Sequence, residues 1–159
     1  MIDEEIFWEV IGESSTINKL NSYDHGPAHW RRVSDNAVDL AMLTPGADEY
    51  VVRLFALFHD AMRENEWNDP EHGKRGWLLA KGLGVEEALT PAQRHVFGLA
   101  VIRHDFGETE SDPTIGCCWD ADRLDLGRVG IIPDPMFFST VEGRRRAQIL
   151  RAEALKGVR

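Results

Sequence analysis

Two imidazoles and two carboxylates of this chain stand where they could share one cation. His59 and Asp60 are adjacent, at the end of the apolar run Leu54-Phe55-Ala56-Leu57-Phe58. His29 lies one turn before Val33, and Asp122 falls between Trp119 and Leu126. Ionisable groups at the edge of a core incur a desolvation cost unless something offsets it. A divalent ion is the offset that suits this set. Neutral imidazole and carboxylate donors match Mn, Fe, Co, Ni, Mg or Zn. The absence of nearby thiolates argues against a closed structural zinc site. Four protein donors would leave an octahedral ion with open positions, where it could polarise a phosphoryl oxygen and acidify a water.

Helices must bring these groups together. A helix opening at Pro27 suits proline at the first helical position, and it carries Val33, Ala37, Leu40 and Ala41 on one face before Pro45-Gly46. His29 shares that face. The next helix is expected over residues 48–63, with Val51, Phe55, Phe58 and Met62 as its stripe and His59 one turn after Phe55. A third is expected to open at Asp69-Pro70, carry His72 and end at Lys81-Gly82. Thr90-Pro91-Ala92-Gln93 has capping-box spacing and opens a helix bearing His95, Val96, Leu99 and His104 up to Gly107. After a polar loop over residues 108–116, residues 117–126 put Trp119, Asp122 and Leu126 on one face. A last helix starts near Ser139 or Thr140, and a short one is expected over residues 3–10. No stretch alternates over a strand's length. The expected fold is all-α, with a metal held among helices.

The chain has 159 residues, 43% of them hydrophobic, which suits one domain with its own core. Its net charge of −9 disfavours binding to a nucleic-acid polymer. A small phosphorylated substrate remains compatible, because a metal and a few arginines can reverse the field inside a cleft. The basic run Arg144-Arg145-Arg146 reads as the exposed face of the last helix, with a nucleic-acid patch as the minor alternative. No apolar run is long enough to span a bilayer, so no membrane partner is expected. The acidic start Met1-Ile2-Asp3-Glu4-Glu5 does not fit a secretory leader, and the adjacent Cys117 and Cys118 suit packing rather than a disulfide. The expected compartment is the cytoplasm. A homo-oligomer is compatible with everything above.

His29, the pair His59-Asp60 and Asp122 resemble, in order and helical placement, the H…HD…D signature of the HD-domain superfamily of metal-dependent phosphohydrolases. Three contexts carry the resemblance: Asp24-His25-Gly26-Pro27-Ala28-His29-Trp30-Arg31-Arg32-Val33, the apolar run into His59-Asp60, and Asp120-Ala121-Asp122-Arg123-Leu124-Asp125. They span roughly residues 24–130, the length of one domain. The resemblance implies a single HD-type helical bundle of about six to seven helices over residues 1–159. It also implies one metal held by His29, His59, Asp60 and Asp122, and hydrolysis of a phosphomonoester, phosphodiester or pyrophosphate, most readily of a nucleotide.

Two departures from the family pattern matter, the place of one acid and the number of metals. Some relatives carry an acid three residues after the HD aspartate; here that position is Arg63, and the acid is Glu64. Glu64 is therefore a candidate to orient water or shuttle a proton, and Arg63 to neutralise a phosphate. Two-metal members have further histidines between HD and the last aspartate. His72 and His104 are the candidates for a second ion or for substrate, with His95 a weaker one. Lys74 and Arg75 read as a solvated face or, if their helix lines the cleft, as anion binders. Trp67 is the candidate to stack on a base. His25 reads as a lip residue, Asp120 and Asp125 as surface or capping acids, and Arg123 and Arg128 as their ion-pair partners. Two other functions stay open: a di-iron oxygenase on the same scaffold, and a non-catalytic binding or signalling module that keeps its metal for folding.

Overall fold

The computed structural model describes Glu5, Trp8, Glu9, Leu20 and residues 22–157. The expected helix over residues 3–10 lies mostly outside the described residues; of these, Glu5, Trp8 and Glu9 are helical. No strand occurs among the described residues, and the fold is all-α. Its helices are α1 (Pro27–Leu43), α2 (Glu49–Phe58), α3 (His72–Gly82), α4 (Pro91–Arg103), α5 (Pro113–Leu124) and α6 (Val141–Lys156). Short 3-10 turns occupy Val85–Ala88, Leu126–Val129 and Pro135–Phe137.

The central element is α2. Asp48 caps it by accepting from the Val51 amide at 3.1 Å. Val51, Val52 and the whole run from Leu54 to Phe58 are buried, while Glu49, Tyr50 and Arg53 keep an edge of the first turns at the surface. It touches α1, α3, α4 and α5. Trp30, Val33, Ala37 and Leu40 of α1 close one side of it, and Phe97, Ala100 and Val101 of α4 another.

Two glycines set how closely α3 approaches. A Cβ on Gly76 would lie 2.1 Å from the Phe58 carbonyl oxygen, and one on Gly73 would lie 2.4 Å from that of Val101. Backbone therefore meets backbone, and His72 on the first turn of α3 reaches the ends of α2 and α4.

Several boundaries differ from those the sequence suggests. α2 stops at Phe58, with His59 as its C-cap, instead of running to residue 63. The chain turns there because α3 packs on the Phe58 carbonyl. Asp69 does not cap α3: its carboxylate takes the Arg75 guanidinium at 2.6 Å and the Glu64 amide at 2.8 Å, and the helix opens at His72. α4 ends at Arg103, with His104 as its cap, short of Gly107. α5 begins at Pro113, four residues before the expected start, because the Asp112 carboxylate accepts from the Thr114 and Ile115 amides. The capping box at Thr90 and Gln93 is present, and Thr140 caps α6.

Asp120 is not a surface acid. It is fully buried on α5 and accepts from the Ser139 amide, the Thr140 amide and the Thr140 hydroxyl, each at 2.7 Å. One carboxylate thereby anchors the start of α6 to α5. The arginines that follow are paired: Arg145 and Arg146 both donate to Glu142, and Arg144 to the Phe138 carbonyl. No helix among the described residues is long and apolar enough to cross a membrane.

Candidate metal centre

The four donors read from the sequence converge. His29 Nε2 lies 3.1 Å from His59 Nε2 and 3.2 Å from Asp122 Oδ1. Asp122 Oδ1 is 3.9 Å from His59 Nε2. Asp60 Oδ2 closes this first nest, 3.6 Å from His29 Nε2 and 3.7 Å from His59 Nε2.

The other oxygen of Asp60 faces a second nest. Its Oδ1 is 3.1 Å from His72 Nε2 and 3.5 Å from His104 Nε2, and those two nitrogens are 2.9 Å apart. Asp60, 4% exposed, therefore stands between two pairs of buried imidazoles. Each of the triads His29–His59–Asp122 and Asp60–His72–His104 brings its donor atoms within 4.8 Å of one another.

Hydrogen bonding at the far side of each ring sets the tautomers. His59 Nδ1 faces the Ala56 carbonyl at 3.1 Å, His104 Nδ1 the Val101 carbonyl at 2.8 Å, and His72 Nδ1 the Asp69 carbonyl. All three use the oxygen three residues earlier, which is available because each histidine sits at a helix end or turn. His29 Nδ1 faces Asp125 Oδ2 at 2.7 Å. Every one of these partners can only accept, so each Nδ1 carries the hydrogen and each neutral ring turns an Nε2 lone pair inward. Arg63 Nη1, always a donor, lies 3.1 Å from His72 Nε2 and agrees with that assignment. The first nest joins two such lone pairs to an Asp122 Oδ1 that is buried and has no hydrogen bond, a donor set that lacks a positive charge, whereas in the second the Arg63 guanidinium already lies beside His72 Nε2 and Asp60 Oδ1. A divalent cation fits that want in the first nest, and one in the second would take the place of Arg63 Nη1.

The electrostatics point the same way. Burial drives the His59 pKa down to about 3, so this ring is neutral at ordinary pH. For His29, burial opposes the charged form, but the Asp122 and Asp125 carboxylates outweigh it and the pKa rises. The same contest, won by Asp60, raises the pKa of His104. A proton on His29 or His104 is thus the alternative neutraliser that a metal displaces. Burial alone would push the Asp60 and Asp122 carboxyls up, but the surrounding histidines hold both well below the usual carboxylate range.

A cleft of about 250 Å³ opens onto the centre, and three arginines, Arg63, Arg123 and Arg128, line it with His25 and Asp105. Arg63 reaches Asp60 Oδ1 at 3.4 Å, and Arg128 Nη2 lies 3.8 Å from Asp122 Oδ1. Three aspartates, Asp60, Asp105 and Asp122, line the same cleft, so its arginines balance the acids of the centre in a chain that is negative overall. Beyond His25 and Arg128 the cleft adjoins a basin of about 620 Å³ walled by Trp67, Leu126, Val129 and Ile131.

Glu64, Lys74 and Arg75 are not brought to this cleft. The turn after Asp60 swings Glu64 outward, where its carboxylate lies 3.9 Å from Arg75. Lys74, two residues past His72 on a helix, points away from it and pairs with Glu71 at 3.5 Å. Arg75 is committed to Asp69 and to the Met62 carbonyl. His95 is exposed on α4, and Trp67 stands 88% exposed at the rim of the basin. Two residues matter more than their sequence context suggested. Asp125 holds His29 and also takes Arg32 Nε at 2.8 Å. His25 Nδ1 meets Asp60 Oδ2 at 3.1 Å while its Nε2 lies 3.6 Å from Glu66. The signals were present: Asp125 is three residues after Asp122, and His25 four before His29.

Comparison with solved structures gives a match to a crystal structure from an uncultured Thermotogales bacterium, described as a predicted HD superfamily hydrolase. The TM-score is 0.74 at 22% identity, over 97% of this chain and 88% of that one. The chain has an HD-domain fold. A search of family models and of curated proteins found no match to the sequence. Within this HD fold the first-histidine segment is α1, the HD pair closes α2, and the last aspartate lies on the final turn of α5.

Proposed function

We propose that this protein is a metal-dependent phosphohydrolase acting on a small phosphate ester of nucleotide size. The observation that carries this reading is the inward-facing set of four imidazole lone pairs around Asp60, open to an arginine-lined cleft. His29, His59, Asp60 and Asp122 would hold one divalent ion, and Asp60, His72 and His104 a second. Such ions supply polarisation of a phosphoryl oxygen and a water of lowered pKa.

The chain's own groups do the rest. Arg63, anchored by the Asn65 and Trp67 carbonyls, presents positive charge beside Asp60, where negative charge builds on the phosphoryl oxygens. Asp125 and the carbonyls of Ala56, Val101 and Asp69 fix the histidine rings. His25 lies between Asp60 and Glu66 at the junction of cleft and basin, a position from which it can pass a proton to the leaving oxygen. That role replaces the one considered for Glu64. The basin, with Trp67 at its rim, has the volume of a small-ligand pocket and suits the organic part of the ester.

The decisive experiment couples metal analysis to a phosphate-release screen over nucleotides and sugar phosphates, with Asp60→Ala as control. Metal-dependent release that falls at least ~10²-fold in the variant is expected. Unchanged turnover in metal-poor Asp60→Ala, or no release from any ester by the metal-loaded parent, rejects the reading.

The second nest favours keeping one competitor. Four histidines and two carboxylates also suit a pair of iron ions in an oxygenase. Two irons per chain together with oxygen consumption would select it; phosphate release unaffected by removal of oxygen would eliminate it.

A further inference from the structure

Arg123 follows Asp122 on the last turn of α5 and is 6% exposed. Its Nη1 donates to the Phe137 carbonyl, and its guanidinium carbon lies 5.6 Å from the centre of the Trp119 ring. The fork is therefore held in place by groups that belong to the scaffold. Its other terminal nitrogen, Nη2, is buried and has no hydrogen-bond partner. Arg123 lines the same cleft as Asp60, Asp122 and His104.

The neighbouring arginines are differently occupied. Arg63 spends Nε and Nη2 on the carbonyls of Asn65 and Trp67. Arg128 spends Nε and Nη1 on those of Asp24 and Asp125. Both brace the loops that form the mouth. Arg123 alone of the three keeps a buried terminal nitrogen uncommitted, and a buried charged donor is rarely left so without a purpose.

We propose that Arg123 is a specificity-determining residue whose Nη2 binds a terminal oxygen of the substrate phosphate, and that the substrate is accordingly a phosphomonoester. This rests on the phosphohydrolase reading. The chemistry is a matter of charge and of free oxygens. A monoester has three terminal oxygens and is largely a dianion near neutral pH. A diester has two and carries a single charge, so it gains less from an added cationic donor. Arginine suits the task because its planar fork can hold Phe137 with one nitrogen and an anion with the other.

The test uses the metal-loaded full chain and inorganic phosphate as probe, followed by calorimetry and by thermal shift. Arg123→Met keeps the packing on Trp119. Arg123→Lys keeps a donor for the Phe137 carbonyl but lacks the fork. Both variants are expected to retain metal and to weaken phosphate binding by about tenfold or more. Dimethyl phosphate, a diester, should lose less in the variants than phosphate does. Phosphate affinity equal to the parent's in a folded, metal-loaded variant overturns the inference and leaves the hydrolase reading standing. Phosphate binding that depends on Arg123 in a protein that hydrolyses no ester supports the site while rejecting the activity. Failure of the parent to bind phosphate overturns the inference outright. Should both variants fold poorly, a crystal of the parent with phosphate decides: an oxygen within hydrogen-bonding distance of Nη2 is expected, and a phosphate seated away from it refutes the assignment.

Discussion

His29 and Asp125 form a 2.7 Å contact between Nδ1 and Oδ2 on the side of the ring that faces away from the nests. Asp125 is itself fixed by Arg32, whose Nε lies 2.8 Å from Oδ1. The pair sets which nitrogen of His29 faces Asp122. Asp125→Ala should therefore cost about 10–100-fold in metal affinity without touching a metal-facing atom. Asp125→Asn, which keeps an acceptor oxygen, should cost less. Competition against a metal-sensitive dye measures both; equal affinity in parent and Asp125→Ala would show that the ring needs no such support.

The two nests predict different metal counts for different variants. His72→Ala removes a donor from the second nest only and should lower a two-ion protein to one ion per chain. Asp60→Ala, which faces both, should empty both. Elemental analysis after desalting distinguishes these outcomes. A His72→Ala protein with the parent's full metal content would show that the second nest is not a binding site.

Chelation should remove activity but not the fold. Phe55 of α2 stacks on His59 at the edge of the nests, but the rest of the core around α2 is apolar and needs no ion, so far-UV circular dichroism is expected to stay helical while the melting temperature falls. At a free metal concentration of 1,000 Kd, the lost stabilisation is about 4 kcal/mol. Collapse of helicity on chelation, with no turnover beforehand, would instead favour the structural-metal module. Acid should mimic the chelator. The pKa values of His29 and His104 lie above the ordinary imidazole value, so protons begin to compete with metal at a higher pH than for a free histidine. Metal retention across a pH series from 8 to 5, values spanning ordinary imidazole titration, is the readout.

Cys117 and Cys118 should be inert in the folded protein. Burial pushes the Cys117 thiol up to about 11 and raises that of Cys118 as well. Neither should react with a thiol reagent at neutral pH until the chain unfolds. The sign of the linked effect follows from proton uptake. Between the ordinary thiol value and 11 the unfolded chain has lost a proton that the folded chain keeps, so stability falls as pH rises through that window. Denaturant midpoints at alkaline pH measure this, and a midpoint that climbs instead would contradict the assigned burial.

Asp120→Ala should destabilise without changing the centre. It leaves the Ser139 and Thr140 amides and the Thr140 hydroxyl without their shared acceptor, a loss of about 3 kcal/mol. The cost should appear in unfolding curves, and metal affinity should be unchanged. A weakened metal site in a folded Asp120→Ala protein would mean that the α5–α6 joint reaches the nests.

The donors on regular helical faces were legible from spacing alone. His29 before Val33, His59 after Phe55 and Asp122 between Trp119 and Leu126 all lie where a period of 3.6 residues puts them. What spacing did not show lies at helix ends. His25 precedes the first turn of α1 and Asp125 follows the last of α5, and a periodic pattern is silent about residues outside the period. The charged candidates Glu64, Lys74 and Arg75 went astray for another reason: a sequence gives the sign of a charge but not the partner that already occupies it, here Asp69 for Arg75 and Glu71 for Lys74. The early start of α5 was written in Asp112-Pro113, a cap and a first-position proline hidden within a polar stretch.

Burial of the last turns of α2 has a consequence for how the molecule breathes. Amide protons of a wholly buried helical segment exchange with solvent chiefly when the whole domain opens, whereas those of half-exposed segments exchange through smaller openings. His59 and Asp60 hang from the end of that slow-exchanging segment. They stay registered against the core, and so do His72 and Asp122, because α3 lies backbone to backbone on α2 and α4 and most of α5 is buried.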